Sequence, residues 1–185
     1  MVKMNKKIIG VVACSAVAAS MAIGASASDD LIKVGYAQVG HESDWRTANT
    51  QNYQDVFSEA NGYELSFVDC DNDNAAQIEA VRNFINQELD YIVIAPIQSA
   101  GWDTVLQEAQ DAGIPVIIAD REIEASEDLY DAWVGTNTTN EGITAGNWLA
   151  ENLDGKEANI LVIEGSVGAS AALGRSDGFN QVAAD

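Results

Sequence analysis

The chain has 185 residues, with 29 Asp and Glu against 9 Lys and Arg and a formal net charge of -20. With two prolines, 47% hydrophobic and 21% charged residues, it has the composition of a soluble globular protein rather than a disordered or fibrous one. So acidic a chain, with so few cations to cluster, excludes a grip on nucleic acid or anionic lipid, where Lys and Arg must neutralise phosphates.

Lys3, Lys6 and Lys7 precede an apolar stretch from Ile8 to Gly24, followed by Ala25-Ser26-Ala27 and then Asp29-Asp30. That order predicts a secretory signal peptide over residues 1–27 with an Ala-x-Ala cleavage site, hence an exported protein in the periplasm or on the outer face of the cell membrane. The rival reading is a membrane anchor, but the 17-residue stretch is rich in Ala and broken by Gly, short of the roughly 20 strongly apolar residues that span a bilayer. Cys14 offers a lipidated cysteine instead, yet the apolar run continues past it, where a lipoprotein turns polar. Removing 27 residues and three of the nine cations leaves 158 residues, a charge of -23 and Cys70 as the single thiol. No internal disulfide is then possible, and Cys70, at the end of an apolar strand, reads as a small buried hydrophobe.

In chain order, Leu31 to Val39 reads as a strand, Trp45 to Ala60 as a helix, Tyr63 to Cys70 as a strand and Ala75 to Leu89 as a helix. Tyr91 to Ile97 is a strand, Trp102 to Ala112 a helix, Pro115 to Asp120 and Ala132 to Thr136 strands, Thr139 to Leu153 a helix and Asn159 to Glu164 a sixth strand. The helices carry apolar residues at three- and four-residue spacing, as in Ile78, Val81, Phe84 and Ile85. Strands as apolar as Tyr91-Ile92-Val93-Ile94-Ala95 are covered on both faces and, when separated by helices, run parallel. The fold class is therefore α/β, a doubly wound parallel sheet. Ser99 before Gly101-Trp102 reads as an N-cap, Thr138 with Glu141 as a capping box, and Gly113 and Gly155 as C-caps. Gly168 to Asp185 starts a helix on which the sequence ends, and a half-used βα unit suggests an N-terminal fragment.

In such a sheet, ligands bind beyond the carboxyl ends of the strands. After the first strand, Gly40-His41-Glu42-Ser43-Asp44-Trp45-Arg46 brings acceptors, an indole face and a guanidinium to a helix N-terminus. Sugars need that set, because hydroxyls take in-plane donors and acceptors while the C–H face of the ring packs on an aromatic. The plainer alternative makes Trp45 core and Ser43 only a cap. After the fourth strand, Asp120-Arg121 can accept from and donate to neighbouring hydroxyls of one ring, or form a structural ion pair. After the sixth, the glycines and small residues of Gly165 to Phe179 allow close backbone approach and place Arg175 about two turns into a helix, without either glycine-rich phosphate signature. Asp69-Cys70-Asp71-Asn72-Asp73 has Asn74 and Ala80 where a calcium loop needs Gly and Glu, and reads as a turn and helix cap. His41 is the single histidine and has no companions at metal or triad spacing.

Together these segments resemble the sugar-binding proteins of bacterial ABC importers, the ribose/galactofuranose group of type I periplasmic binding proteins. The resemblance rests on Val34-Gly35-Tyr36-Ala37-Gln38-Val39-Gly40 with Glu42-Ser43 and Trp45-Arg46, on Ile94-Ala95-Pro96-Ile97 with Gly101-Trp102, on Ile114-Pro115-Val116 with Asp120-Arg121, and on Gly165 to Phe179. Glu-Ser-x-Trp-Arg with Gly101-Trp102 is most similar to the galactofuranose-binding branch.

The resemblance implies two α/β lobes that close on a sugar and then dock on a membrane permease. The N-terminal lobe would span 28–136, the start of a truncated second lobe 137–185, with the first crossing near Thr136-Asn137. It implies sugar contacts from Glu42, Ser43, Trp45, Arg46, Asp120, Arg121 and, from the second lobe, Arg175. Asp44 stands where relatives usually have Gly, and His41 where they often have Ser; the extra carboxylate of Asp44 beside the site could alter which sugar is accepted. The function implied is that of a non-enzymatic, cofactor-free, metal-free, monomeric receptor for a pentose or hexose that feeds an ABC permease. Two alternatives stay open. One is a secreted carbohydrate-active α/β enzyme with Glu42 and Asp44 or Asp120 as acid and base; the other is a sugar sensor serving a chemoreceptor or kinase.

Overall fold

The computed structural model describes residues 31–183. The signal peptide and Cys14 expectations lie outside them.

Five strands, β1 (Ile32–Gln38), β2 (Tyr63–Asp69), β3 (Tyr91–Ile94), β4 (Val116–Asp120) and β5 (Ala132–Gly135), form one sheet in the order β2-β1-β3-β4-β5, every pair parallel. The helices are α1 (Asp44–Val56), α2 (Asn74–Asn86), α3 (Asp103–Asp111), α4 (Thr138–Leu153) and α5 (Ser170–Ala183). The order reverses at β1, so the loops after β1 and β3 face the same crevice, where ligands of such sheets bind.

Strand alternation divides β1 between two layers. Tyr36 and Gln38 face α1: the Tyr36 ring stacks on Tyr53 at 4.0 Å, and Gln38 Nε2 donates to Asn49 Oδ1 at 2.9 Å. Gly35 faces α2, where an added Cβ would meet the Phe84 ring at 2.6 Å, so this layer closes only over glycine. Phe84, Leu106, Trp102, Ile92, Ile94 and Ile118 fill the core, all at most 2% exposed. Gln77 is wholly buried yet satisfied: its Nε2 donates to Ala37 O and Ala95 O, and its Oε1 accepts from the Ile97 amide. It ties the ends of β1 and β3 together below the crevice.

Several local expectations change. Asn159–Glu164 forms no strand, and its Leu161 and Ile163 are exposed; the segment is apolar, but no other described segment pairs with it, and a strand exists only in a ladder. Ser99 does not cap α3, because its hydroxyl donates to Glu124 Oε1 at 2.7 Å and the cap position falls to Trp102. The cap of α4 is Asn137, whose side chain accepts from the Asn140 amide at 2.9 Å, while Glu141 pairs with Arg175. The first helix stops at Val56 and a 3-10 turn over Glu59–Asn61 follows. The Asp69–Asn74 segment is a turn and cap: Asp73 accepts from the amides of Ala75 and Ala76. Cys70 is buried, and burial, with the nearby carboxylates, pushes its thiol up to about 12.

The six cations of the described residues face 26 acids. Glu42, Glu108, Asp120 and Glu141 are the described acids within ion-pair distance of a Lys or Arg. Self-repulsion on this scale opposes compaction, and screening relieves it as the Debye length falls from about 30 Å at 0.01 M to about 10 Å at 0.1 M. The melting temperature should therefore rise by several degrees, roughly 5 °C, between 10 mM and 500 mM NaCl in a thermal scan. A flat or falling curve would contradict this reading.

Candidate ligand-binding site

The site begins with the cap of α1. Ser43 lies in extended conformation, φ -155° and ψ 160°, and its hydroxyl accepts from the Arg46 amide at 3.1 Å, satisfying one of the orphan N–H groups of a first turn. That turn carries Arg46 inward until it is 3% exposed. Its Nε donates to Glu42 Oε1 at 3.1 Å and its Nη2 to Asp120 Oδ2 at 2.8 Å. Burial works against a charged guanidinium, but the bonds and charges of Asp120 and then Glu42 outweigh it and raise the Arg46 pKa. Arg46 Nη1 is buried and has no hydrogen-bond partner among the described residues.

Asp120 is the last residue of β4 and lies at φ +67°, in the left-handed region that a residue with a Cβ seldom takes. Its partner in the register is Gly135, and a Cβ there would overlap the Asp120 carbonyl. Glycine on β5 thus permits the turn that points Asp120 at Arg46 rather than along the strand.

Sequence neighbours Asp120 and Arg121 do not pair with each other. Arg121 is 16% exposed and is held by long contacts: Nη1 donates to Pro96 O at 3.5 Å and Ile97 O at 3.4 Å, and Nη2 stands 4.0 Å from Glu42 Oε1. Burial first, and the Arg46 charge second, lower its pKa. Trp45 is not core. It is 58% exposed, with the Arg46 guanidinium 4.9 Å from its ring centroid, close enough for a cation–π contact. Asp44 is exposed in the first turn of α1, where a carboxylate complements the helix dipole.

Arg175 lies on α5, a turn and a half from its start, and its Nε donates to Glu141 Oε2 at 2.8 Å. The Arg175 bond holds the Glu141 carboxyl below its usual range. Arg121, Glu141, Ser166, Ala169, Arg175 and Phe179 share a cavity of about 640 Å³. The structure therefore brings Glu42, Arg46, Asp120 and Arg121 together on the sheet side, and of these Arg121 lines the cavity with Arg175 of α5. Glu141 escaped the sequence reading because it fits a capping box equally well and its partner is 34 residues away. His41 Nδ1 meets Asp69 Oδ2 at 2.8 Å outside this group, exposed to solvent, and the Asp69 bond raises its pKa. Among the described residues, no three His, Cys, Asp or Glu side chains cluster as metal ligands.

Removing Arg46 leaves two carboxylates without their cation. Arg46→Ala should lower the unfolding free energy by about 2–3 kcal/mol, below the usual value for a wholly buried pair, because Asp120 and Glu42 are 28% and 44% exposed. Urea denaturation of the two proteins measures it; a loss within about 0.5 kcal/mol would show that the fold does not depend on this bridge.

Comparison with known proteins places this chain in a family. Residues 34–185 match the model of a periplasmic binding protein domain. The galactofuranose-binding protein YtfQ of Escherichia coli is 41% identical over 177 residues, covering 95% of this chain and 54% of that one. A structure from Mycobacterium smegmatis in complex with β-D-fucofuranose superposes with a TM-score of 0.77 at 39% identity, over 83% of this chain and 51% of that one. The periplasmic component of the arabinose ABC transporter of Shewanella sp. ANA-3, bound to α- and β-L-arabinofuranose, gives 0.76 at 41% identity, over 82% and 50%. The chain spans about half the length of the relatives it matches. Sequence motifs, sheet order and match agree, and this chain belongs to the periplasmic binding protein family.

Proposed function

We propose that the chain is part of an exported, non-enzymatic receptor that binds a monosaccharide in its furanose form and delivers it to an ABC permease. The observation that carries this is the Arg46 guanidinium, fixed on two sides by Glu42 and Asp120 and keeping one buried nitrogen without a partner. A buried donor without an acceptor is costly, and a ring hydroxyl supplies the acceptor. Arg121, on long contacts only, offers a second donor, and Glu42 and Asp120 retain acceptor capacity for neighbouring hydroxyls. Trp45 offers an exposed aromatic face at the rim. Glu42 and Asp120 both accept from Arg46, an arrangement for holding a ring rather than cleaving a bond, which favours a receptor over a hydrolase.

The furanose reading follows the relatives, named for galactofuranose or bound to β-D-fucofuranose and L-arabinofuranose. In this proposal residues 28–136 are one lobe, 137–185 belong to the second, and Arg175 reaches the sugar from the second as the lobes close. Asp44 adds a carboxylate at the rim, and its charge disfavours anionic sugars.

Titration calorimetry of the full chain with L-arabinose, D-galactose, D-fucose, D-fructose and D-ribose should give binding for at least one sugar that equilibrates to a furanose. Arg121→Ala should weaken that binding at least about tenfold, the worth of a charge-assisted hydrogen bond, and change the melting temperature by only a few degrees. Silence across the panel would sink the receptor reading; a collapse in stability would make Arg121 structural.

A further inference from the structure

Away from the β5–α4 connection, two hydrogen bonds among the described residues join the segment 138–183 to the segment 31–135. The Ser99 amide donates to Gly168 O at 2.8 Å, and the Glu122 amide donates to Ser170 Oγ at 2.9 Å. The receiving edge is braced from within: the Glu124 amide donates to Ser99 O, and Ser99 Oγ donates to Glu124 Oε1 at 2.7 Å, so the loops after β3 and β4 form one unit. Ser99 is 4% exposed and Ala169 2% exposed, so the Ser99 end of this docking is buried, whereas the Glu122–Ser170 bond lies at the surface. Gly168 lies at φ +81° with Gln98 beside it, a turn a side chain would strain, and it aims the Gly168 carbonyl at Ser99. None of Ser99, Glu122, Gly168 or Ser170 lines the cavity that Arg121 and Arg175 share.

We infer that Gly168–Ser170 and the braced loops Ser99 and Glu122 form a ligand-independent latch that sets how far the two lobes stand closed before sugar arrives. The inference rests on the two-lobe receptor reading above. Ser170 is its positioning residue: it holds the closed arrangement through the Glu122 amide and touches no ligand. A latch of this kind stabilises the closed state whether or not sugar is bound, so it governs escape of the ligand more than its entry.

The test uses the full chain with Cys14→Ser and carrying Gln51→Cys and Glu151→Cys, both exposed positions on α1 and α4, for spin or fluorophore pairs; Cys70 is buried and its thiol is pushed up to about 12. Ser170→Ala should shift the sugar-free distance distribution toward longer separations and raise the dissociation rate of L-arabinose or D-galactose by about threefold, the net worth of one hydrogen bond at the lower end of the usual range. The association rate should stay within about twofold. Ser170→Thr, which keeps the hydroxyl, should restore both readouts. An unchanged distance distribution in Ser170→Ala, or a Thr variant that behaves like Ala, would overturn the latch. If neither sugar binds the unaltered chain, it is the receptor reading that fails, and the sugar-free distances still decide the latch.

Discussion

The structure turns on one buried cation. Arg46 comes from the first turn of α1 and reaches Asp120, 74 residues away at the end of β4, while also holding Glu42 in the loop after β1. A guanidinium at 3% exposure is tolerated only where its partners are close and well aimed. That requirement propagates outward. Asp120 has to leave the strand at positive φ to present its carboxylate, and β5 has to carry glycine opposite it to make room. Ser43 has to cap α1 so that Arg46 falls on the inward face. Arg121, deprived of Asp120 as a partner, is left with carbonyls at long range. Glu42, Asp120 and Arg121 thus take their places from how the Arg46 charge is satisfied.

The acidic background sharpens this arrangement. Of six cations among the described residues, Lys33 forms no ion pair, Lys156 lies exposed in the loop after α4, and Arg82 braces α2 against α3 through Glu108. Of the other three, Arg121 and Arg175 line one cavity and Arg46 shares Glu42 with Arg121, so that each stands near a carboxylate from a different element. The result is alternating charge of nearly zero net sign in a protein that is otherwise strongly negative. Such a lining suits a neutral ligand rich in hydroxyls, since each guanidinium donates and each carboxylate accepts without a net charge to neutralise.

What could be read from the sequence follows from the range of each interaction. The parallel sheet was legible because strands buried on both faces are continuous apolar runs, as in Tyr91–Ile94, and because helices between them leave no other pairing. The candidate residues could be picked out because they sit at or just beyond the carboxyl ends of strands, as Glu42 and Arg46 do after β1 and Asp120 and Arg121 at the end of β4. Their pairing was not. Asp120 and Arg121 are adjacent in sequence, yet β4 turns so that Asp120 meets Arg46 and Arg121 faces elsewhere. Caps were misplaced where two polar residues competed within a few positions, as with Asn137 and Thr138, and the decision lay in tertiary partners such as Glu124 and Arg175. The 159–164 segment shows the same limit in another form: strand propensity is local, but a strand is a pairing.

The last constraint concerns how rigidly Arg175 is presented. Gly142 and Gly146 on α4 and Gly174 and Gly178 on α5 are each four apart, so each pair lies on one helix face. A Cβ on Gly142 would overlap the Arg175 carbonyl, one on Gly178 the Thr139 carbonyl, and one on Gly174 the Thr138 hydroxyl. The two helices therefore meet backbone to backbone, a contact that leaves little freedom to slide because any shift drives a carbonyl into the opposing chain. This fixes the register in which Glu141 faces Arg175, and so fixes the guanidinium relative to α4 before any ligand is present. Close helix packing then makes α5 move as one body with α4, so that a displacement of α4 is delivered to the cavity as a displacement of Arg175.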